Sequence, residues 1–347
     1  MPPTSSIIGH LELKDPKFHS RKALEWAKEY GPVFRLRIFF RNVVVVSDIE
    51  YIKKFCLDNQ TLYRPDVLNL GRSYYQGITT MNGKEWKDNK RVCMSALRDL
   101  GFAKPTVETK MMDQCRKVGE AVEKAEGKPL HLGWQFIEWS ANNIAYFFMG
   151  PWKEGNSDMS DKMMDILQRS FVLLKSAGIY EYTPGILRTF LQLIPSTTDY
   201  KIDKIFKELD NFIMTETDLV VDGFFVPKGS VVLFNLWAVN RDPSLWKDPH
   251  HYNPSRFLLE DGSLMPHKPT CYVPFSFGKR SCPGDVFAFM ETFLMVTFLL
   301  QKYDVHLDQP LPCDLDDPTT CYEKLQTTKL RFLRRSDGAN RCSNVDN

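Results

Sequence analysis

Long apolar runs are missing from this sequence. The longest, residues 230–239 and 293–300, are core-sized and fall short of the roughly 20 residues a membrane-spanning helix needs. An excess of one charge is missing too. The 45 basic and 43 acidic side chains leave a net charge of +2, which gives no electrostatic footprint for nucleic acid. Paired cysteines are absent: the eight stand at positions 56, 93, 115, 271, 282, 313, 321 and 342, none spaced as Cys-x-x-Cys or a zinc knuckle. Free thiols in a reducing compartment are expected. Met1-Pro-Pro-Thr has neither a basic start nor an apolar run, so a signal peptide is not expected. There are no internal repeats and no low-complexity tract. What remains is a chain of 347 residues, 43% hydrophobic and 25% charged, the composition of a packed globular core.

The local signals alternate between helix and strand. Residues 21–30 read as a helix stopped by Gly31-Pro32. Residues 33–39 and 43–46 are β-branched and aromatic, hence two strands, with a turn expected near Arg41-Asn42. Asp48 suits the N-cap of a helix through Leu57. Residues 60–83 are irregular; helices are expected over 85–97, 106–126, 131–149, 158–178 and 199–214. Residues 219–226 and 230–236 are expected to pair as a hairpin around Pro227-Lys228-Gly229. A proline-rich meander follows, then a glycine-punctuated loop, then an apolar helix over 285–301. The basic run 329–335 reads as a solvated face.

The loop 275–284 carries the chemistry. It reads Phe275-Ser-Phe-Gly278-Lys-Arg280-Ser-Cys282-Pro-Gly284. Gly278 and Gly284 let a backbone turn closely beneath a flat ligand. Cys282 lies just ahead of a helix start, whose unpaired amides favour a thiolate. Phe275 can shield the sulfur from water. Arg280 can grip a carboxylate with two parallel hydrogen bonds.

This spacing, Phe-x-x-Gly-x-Arg-x-Cys-x-Gly, resembles the haem-binding signature of the cytochromes P450. Five fixed positions within ten residues make it specific. Further segments share the resemblance: Tyr30-Gly31-Pro32-Val33-Phe34 near the start, Tyr63-Arg64-Pro65, the helix at Trp86 to Arg91, residues 221–229, and Asn253-Pro-Ser-Arg256-Phe257. The resemblance implies a mostly α fold with small β-sheets. It implies one domain over 1–347, with an amino-terminal β region at 1–60, a helical region at 61–214, and the hairpin, meander, haem loop and last helix at 215–347. It implies haem b, with Cys282 as axial ligand of the iron and Arg280, Trp86, Lys90 and Arg64 holding its propionates. In the family pattern Trp-x-x-x-Arg, Lys90 stands where arginine is usual. Substrate contacts are expected from about 64–82 and 170–195. The implied activity is insertion of one oxygen atom from O2 into an apolar substrate. Electrons would come from NADPH through cytochrome P450 reductase, docked on the basic face at 84–98. The implied location is the cytoplasmic face of the endoplasmic reticulum membrane, with peripheral membrane contact.

The departures from the family are equally specific. The membrane anchor is expected to be missing. A middle stretch between Met214 and Thr215 is also expected to be missing, one that should carry an acid–alcohol pair and a Glu-x-x-Arg. No Glu-x-x-Arg occurs in the sequence. Arg256, whose family partner is that motif, is expected to be a stranded charge. The fold is therefore expected to be an internally truncated P450 fold, and two other readings stay open: a haem-binding or interaction protein without catalysis, and an unstable truncated isoform.

Overall fold

The computed structural model describes residues 1–4, 6–15, 18, 21–39, 41–64, 78, 81–99, 101, 105–149, 213–214, 218–310 and 328–335. The helix expected over 158–178, most of that over 199–214, and the substrate-contact segment 170–195 lie outside the described residues.

The chain divides into two compact units. One comprises Met1–Lys90 and Gln168–Cys282, the other Arg91–Leu167 and Pro283–Asn347. In the first unit, α1 (Lys22–Tyr30) leads into β1 (Val33–Ile38) and β2 (Arg41–Val46), which pair antiparallel. The turn between them falls at Phe39, ahead of Arg41-Asn42. Phe39 takes a positive φ of 50° there, and Arg41 and Asn42 already pair with Ile38 and Arg37. Helix α2 (Ile49–Leu57) starts as expected: Asp48 accepts hydrogen bonds from the amides of Glu50 at 2.9 Å and Tyr51 at 3.2 Å.

A four-stranded sheet runs in the order β1, β2, β7 (Val231–Phe234), β4 (Ile213–Met214). Strand β2 pairs antiparallel with β1 and parallel with β7, so it is interior, and its run of four valines serves both faces. Val43 and Val45 join one core with Trp26, Phe34, Leu36 and Ile38. Val44 and Val46 join another with Ile52 and Phe55 of α2. This is the signature of a strand buried on both sides. Ile213 and Met214 are strand rather than helix end, because they add to the free edge of β7.

The expected hairpin is corrected as well. Strands β5 (Leu219–Val221) and β6 (Phe224–Val226) pair around Asp222-Gly223, with φ of 48° and 83°. An Asp-Gly pair with both φ positive is the preferred two-residue hairpin turn. The Pro227-Lys228-Gly229 segment instead delivers the chain to β7, which pairs with β2 and β4 and not with β6.

Further along, a helical turn α6 (Leu236–Val239) precedes the meander. Arg256 is not stranded. Its guanidinium donates to the carbonyls of Asn253 at 2.9 Å, Asp248 at 3.1 Å and His251 at 2.8 Å. It also stands 5.9 Å from the Trp246 ring. Backbone oxygens of its own meander replace the distant carboxylate expected as its partner.

Helix α3 (Gly83–Asp99) begins in the first unit. The second unit holds α4 (Pro105–Lys124), α5 (Gly133–Met149), α7 (Asp285–Lys302) and a sheet of order β3 (Leu130–His131), β9 (Lys329–Arg334), β8 (Tyr303–Leu307). His131, expected in a helix, is in β3. The basic run near the end is the central strand of this sheet, with Phe332 turned inward and Arg331 and Arg335 bonded to Asp308 and Asp304 at 2.7 Å each. Between α5 and α7, the buried Glu291 carboxylate accepts from Asn143 at 2.8 Å and Ser140 at 2.9 Å.

Candidate functional site

The cysteine loop is held in shape by its own backbone and by α2. Its amide–carbonyl closure runs from Cys282 N–H to the Phe275 carbonyl at 3.0 Å, and Ser281 N–H reaches Gly278 at 3.2 Å. Gly278 has a φ of 73°, and a Cβ there would stand 2.3 Å from the backbone oxygen of Cys56. Only glycine fits both the conformation and the contact. Gly284, with φ of −102°, caps α7 in a conformation open to any residue.

Five described cysteines are free, and Cys282 alone among them is exposed. Cys56, beneath the loop, is its opposite: burial pushes its thiol up to about 11, against the pull of hydrogen bonds from Ser276 and Phe277. So the loop presents one accessible sulfur and seals off the other. No cluster of His, Cys, Asp and Glu able to hold a bare metal ion occurs among the described residues. A lone cysteine suits a metal that brings its other ligands with it, as haem iron does.

Cationic residues gather beside the loop. Arg280 lies 3.7 Å above the Trp86 ring, and Lys90 stands 5.3 Å from the same ring. The Lys90 ammonium donates to the Lys279 carbonyl, and the Lys279 ammonium to Asn59. Arg64 is buried, Lys90 half-buried. Burial, and then the Arg64 charge, lower the Arg280 pKa to about 9. Burial, and then Arg280, lower Lys90 in turn. Cations held together out of water are each less stable as cations, and an arriving anion would relieve all of them. Among the described residues no carboxylate pairs with Arg280.

The Arg280 fork, however, is largely committed. Its Nε donates to the Leu62 carbonyl at 2.9 Å, Nη1 to Ile78 at 3.3 Å, and Nη2 to Met81 at 2.7 Å and to Asn82 Oδ1 at 3.3 Å. A guanidinium has five N–H donors. The expected two-bond grip on a carboxylate is therefore not offered as Arg280 stands, because backbone oxygens of the preceding loop take most of its donors. Leu62, Ile78, Met81 and Asn82 are the residues that sequence reasoning missed. Three of them act through carbonyls, which carry no residue identity. Asn82 had a signal, an Asn-Gly pair ahead of a helix, but that signal reads as a cap.

The cytochrome P450 family model matches residues 1–217 and again 214–330. The chain belongs to the cytochrome P450 family. The two matches meet where the expected loss of the middle stretch falls. Cytochrome P450 2J1 of Oryctolagus cuniculus is 23% identical over 420 residues, covering 86% of this chain and 83% of that protein. Vinorine hydroxylase of Rauvolfia serpentina is 24% identical over 434 residues, covering 96% and 90%. Both alignments are longer than the 347-residue chain, so each relative contains stretches with no counterpart here. Cytochrome P450 2U1 of Mus musculus is 45% identical over 96 residues, 28% of this chain and 18% of that protein. The family explains the donor set: an exposed cysteine, a loop that approaches α2 through a glycine, and a cationic edge fit a haem with its two carboxylates. No helix among the described residues is long and apolar enough to cross a membrane.

Proposed function

We propose that this P450 is a haem-thiolate monooxygenase carrying haem b, with Cys282 as the iron ligand and an apolar small molecule as substrate. The observation that carries the proposal is the exposed Cys282 on a loop whose Arg280 is stacked with Lys90 on the Trp86 ring, two cations crowded together and partly out of water. When bound, the haem supplies oxygen activation, and its thiolate ligand favours O–O cleavage. Arg64, Lys90, Arg280 and Trp86 would hold the propionates: Lys90 as a point charge, Arg280 through its remaining donor, Trp86 by carrying both cations on its ring. Phe275 would keep water from the sulfur. The exposed Lys87, Arg91 and Arg98 of α3 would steer an acidic face of NADPH–cytochrome P450 reductase into place. Peripheral contact with the endoplasmic reticulum membrane would use exposed apolar side chains such as Ile7 and Leu11.

The test is the reduced carbon-monoxide spectrum of the purified chain loaded with hemin. A thiolate-type Soret band is expected in the parent and lost in Cys282→Ser, since a hydroxyl is a far weaker donor than a thiolate. A Cys282→Ser protein that kept the band, or a parent without any haem band, would defeat the proposal. A second reading, haem binding without turnover, is favoured by one observation: the sequence has no Glu-x-x-Arg. Product formation with reductase and NADPH separates the two.

A further inference from the structure

Asn82 touches three of the four residues expected to hold the propionates. Its Oδ1 accepts from the Arg64 amide at 2.6 Å and from Arg280 Nη2 at 3.3 Å. Its Nδ2 donates to the Arg64 carbonyl at 2.9 Å. Its own carbonyl accepts from the Trp86 amide at 3.2 Å. Asn82 immediately precedes α3, where an asparagine side chain ordinarily caps the helix's free amides, a contribution of about 1 kcal/mol. Here the side chain does not cap. Gly83 begins the helix with a φ of 59°, which turns the chain away from cap geometry, and the Asn82 amide is directed to Arg64 and Arg280 instead.

We infer that Asn82 is a positioning residue for the haem-thiolate loop: it joins the backbone of Arg64, the start of α3 and the Arg280 side chain into one node, and through Arg280 it fixes the loop that presents Cys282. Arg280 lies two residues before Cys282. Its Nη2 is shared between Asn82 and Met81, and the same guanidinium also grips Leu62 and Ile78. A guanidinium held on four oxygens cannot swing, so the loop following it is set before any cofactor arrives. The purpose of this arrangement rests on the haem reading above; its geometry does not.

Amide hydrogen exchange of the chain without hemin tests the geometry directly. In Asn82→Ala the amides of Ser281 and Cys282, far away in sequence, are expected to exchange roughly tenfold faster than in the parent. Strand β2 should be unchanged. Asn82→Asp keeps the Oδ1 acceptor toward Arg64 and Arg280, so it should restore parent-like protection at Ser281 and Cys282. Its added negative charge beside the cations should nevertheless weaken hemin binding several-fold. Unchanged loop exchange in Asn82→Ala, or equal exchange in the two variants, overturns the inference whether or not hemin binds. Should the alanine variant not fold, loss of loop protection in Asn82→Asp overturns it equally. In hemin-loaded protein, Asn82→Ala is expected to lower the ratio of thiolate-type to other reduced carbon-monoxide bands, which a purely structural role would leave alone. A parent that takes up no hemin refutes the proposed function and leaves the exchange experiment to decide the role of Asn82.

Discussion

Replacing Gly278 with alanine tests the contact on which the cysteine loop rests. Two costs act together. A left-handed residue bearing a side chain costs about 1–2 kcal/mol. The new Cβ would also meet the Cys56 oxygen at 2.3 Å, backbone against backbone. Overlap of this kind in a packed site costs about 1–3 kcal/mol. Gly229 provides the control: its φ is 75°, and a Cβ added there would meet no atom within 4 Å. Gly229→Ala should carry only the first cost. Both substitutions restrict the unfolded chain equally, by about 0.4–1 kcal/mol, so that effect cancels between them. The expected difference is about 1–3 kcal/mol, which at roughly 2–4 °C per kcal/mol corresponds to about 2–12 °C in Tm.

Thermal melts of the two variants beside the parent would measure that difference, and a thiol reagent adds a second signature. Cys56 is buried, with its thiol pushed up to about 11, so iodoacetamide should leave it unmodified in the folded parent. In Gly278→Ala the loop must lift from α2, and peptide mapping should find Cys56 labelled. Equal melting of the two glycine variants, with Cys56 still protected, would mean that the loop does not sit on α2.

Arg256→Met should lower stability by about 1–3 kcal/mol, because three carbonyls lose a charged donor; this is read from urea midpoints, and an unchanged midpoint would restore the stranded-charge view. Glu291 gives a pH signature. Burial raises its carboxyl above the ordinary range, against the pull of Asn143 and Ser140. The folded chain therefore keeps a proton that the unfolded chain releases, and stability falls as pH rises from the ordinary glutamate range through the raised value. Glu291→Gln should flatten that part of the parent's Tm-against-pH curve, and parallel curves would refute the assignment. Glu291→Ala should instead lose about 1–3 kcal/mol at acid and neutral pH alike, since two buried donors lose their acceptor.

The parts of the fold that were legible in the sequence were those set by local chemistry. The valine run of β2, the Asp48 cap and the loop ending in Cys282 each act within a few residues. The turn at Phe39 was hidden because a bulky residue with positive φ runs against propensity, while the polar Arg41-Asn42 beside it reads as a turn. Pro227-Lys228-Gly229 likewise outweighed Asp222-Gly223 as a hairpin signal, although β7 pairs with a strand nearly two hundred residues earlier in the chain. Such parallel pairing has no local marker. At the site, side-chain type in the sequence singled out Trp86 and Lys90, which the structure places beside Arg280. The hold on Arg280 was not legible, because three of its four partners are carbonyls.

The two family-matching pieces overlap in sequence at 214–217. The first family-matching piece supplies β1, β2 and β4, and the second supplies β7, which pairs with both β2 and β4. The same two pieces meet again at the cysteine loop. Gly278, Lys279 and Arg280 from the second rest on Cys56, Asn59, Leu62, Met81 and Asn82 from the first. Each of these contacts that shape the loop therefore comes from residues this chain has. The proton-delivering pair and the Glu-x-x-Arg would act elsewhere, on oxygen chemistry and on the meander, and the meander arginine has found carbonyls of its own. On the proposed function, presentation of the Cys282 sulfur and use of activated oxygen are separable tasks. The loop's architecture argues for the first, while the second requires protons delivered by residues other than that pair.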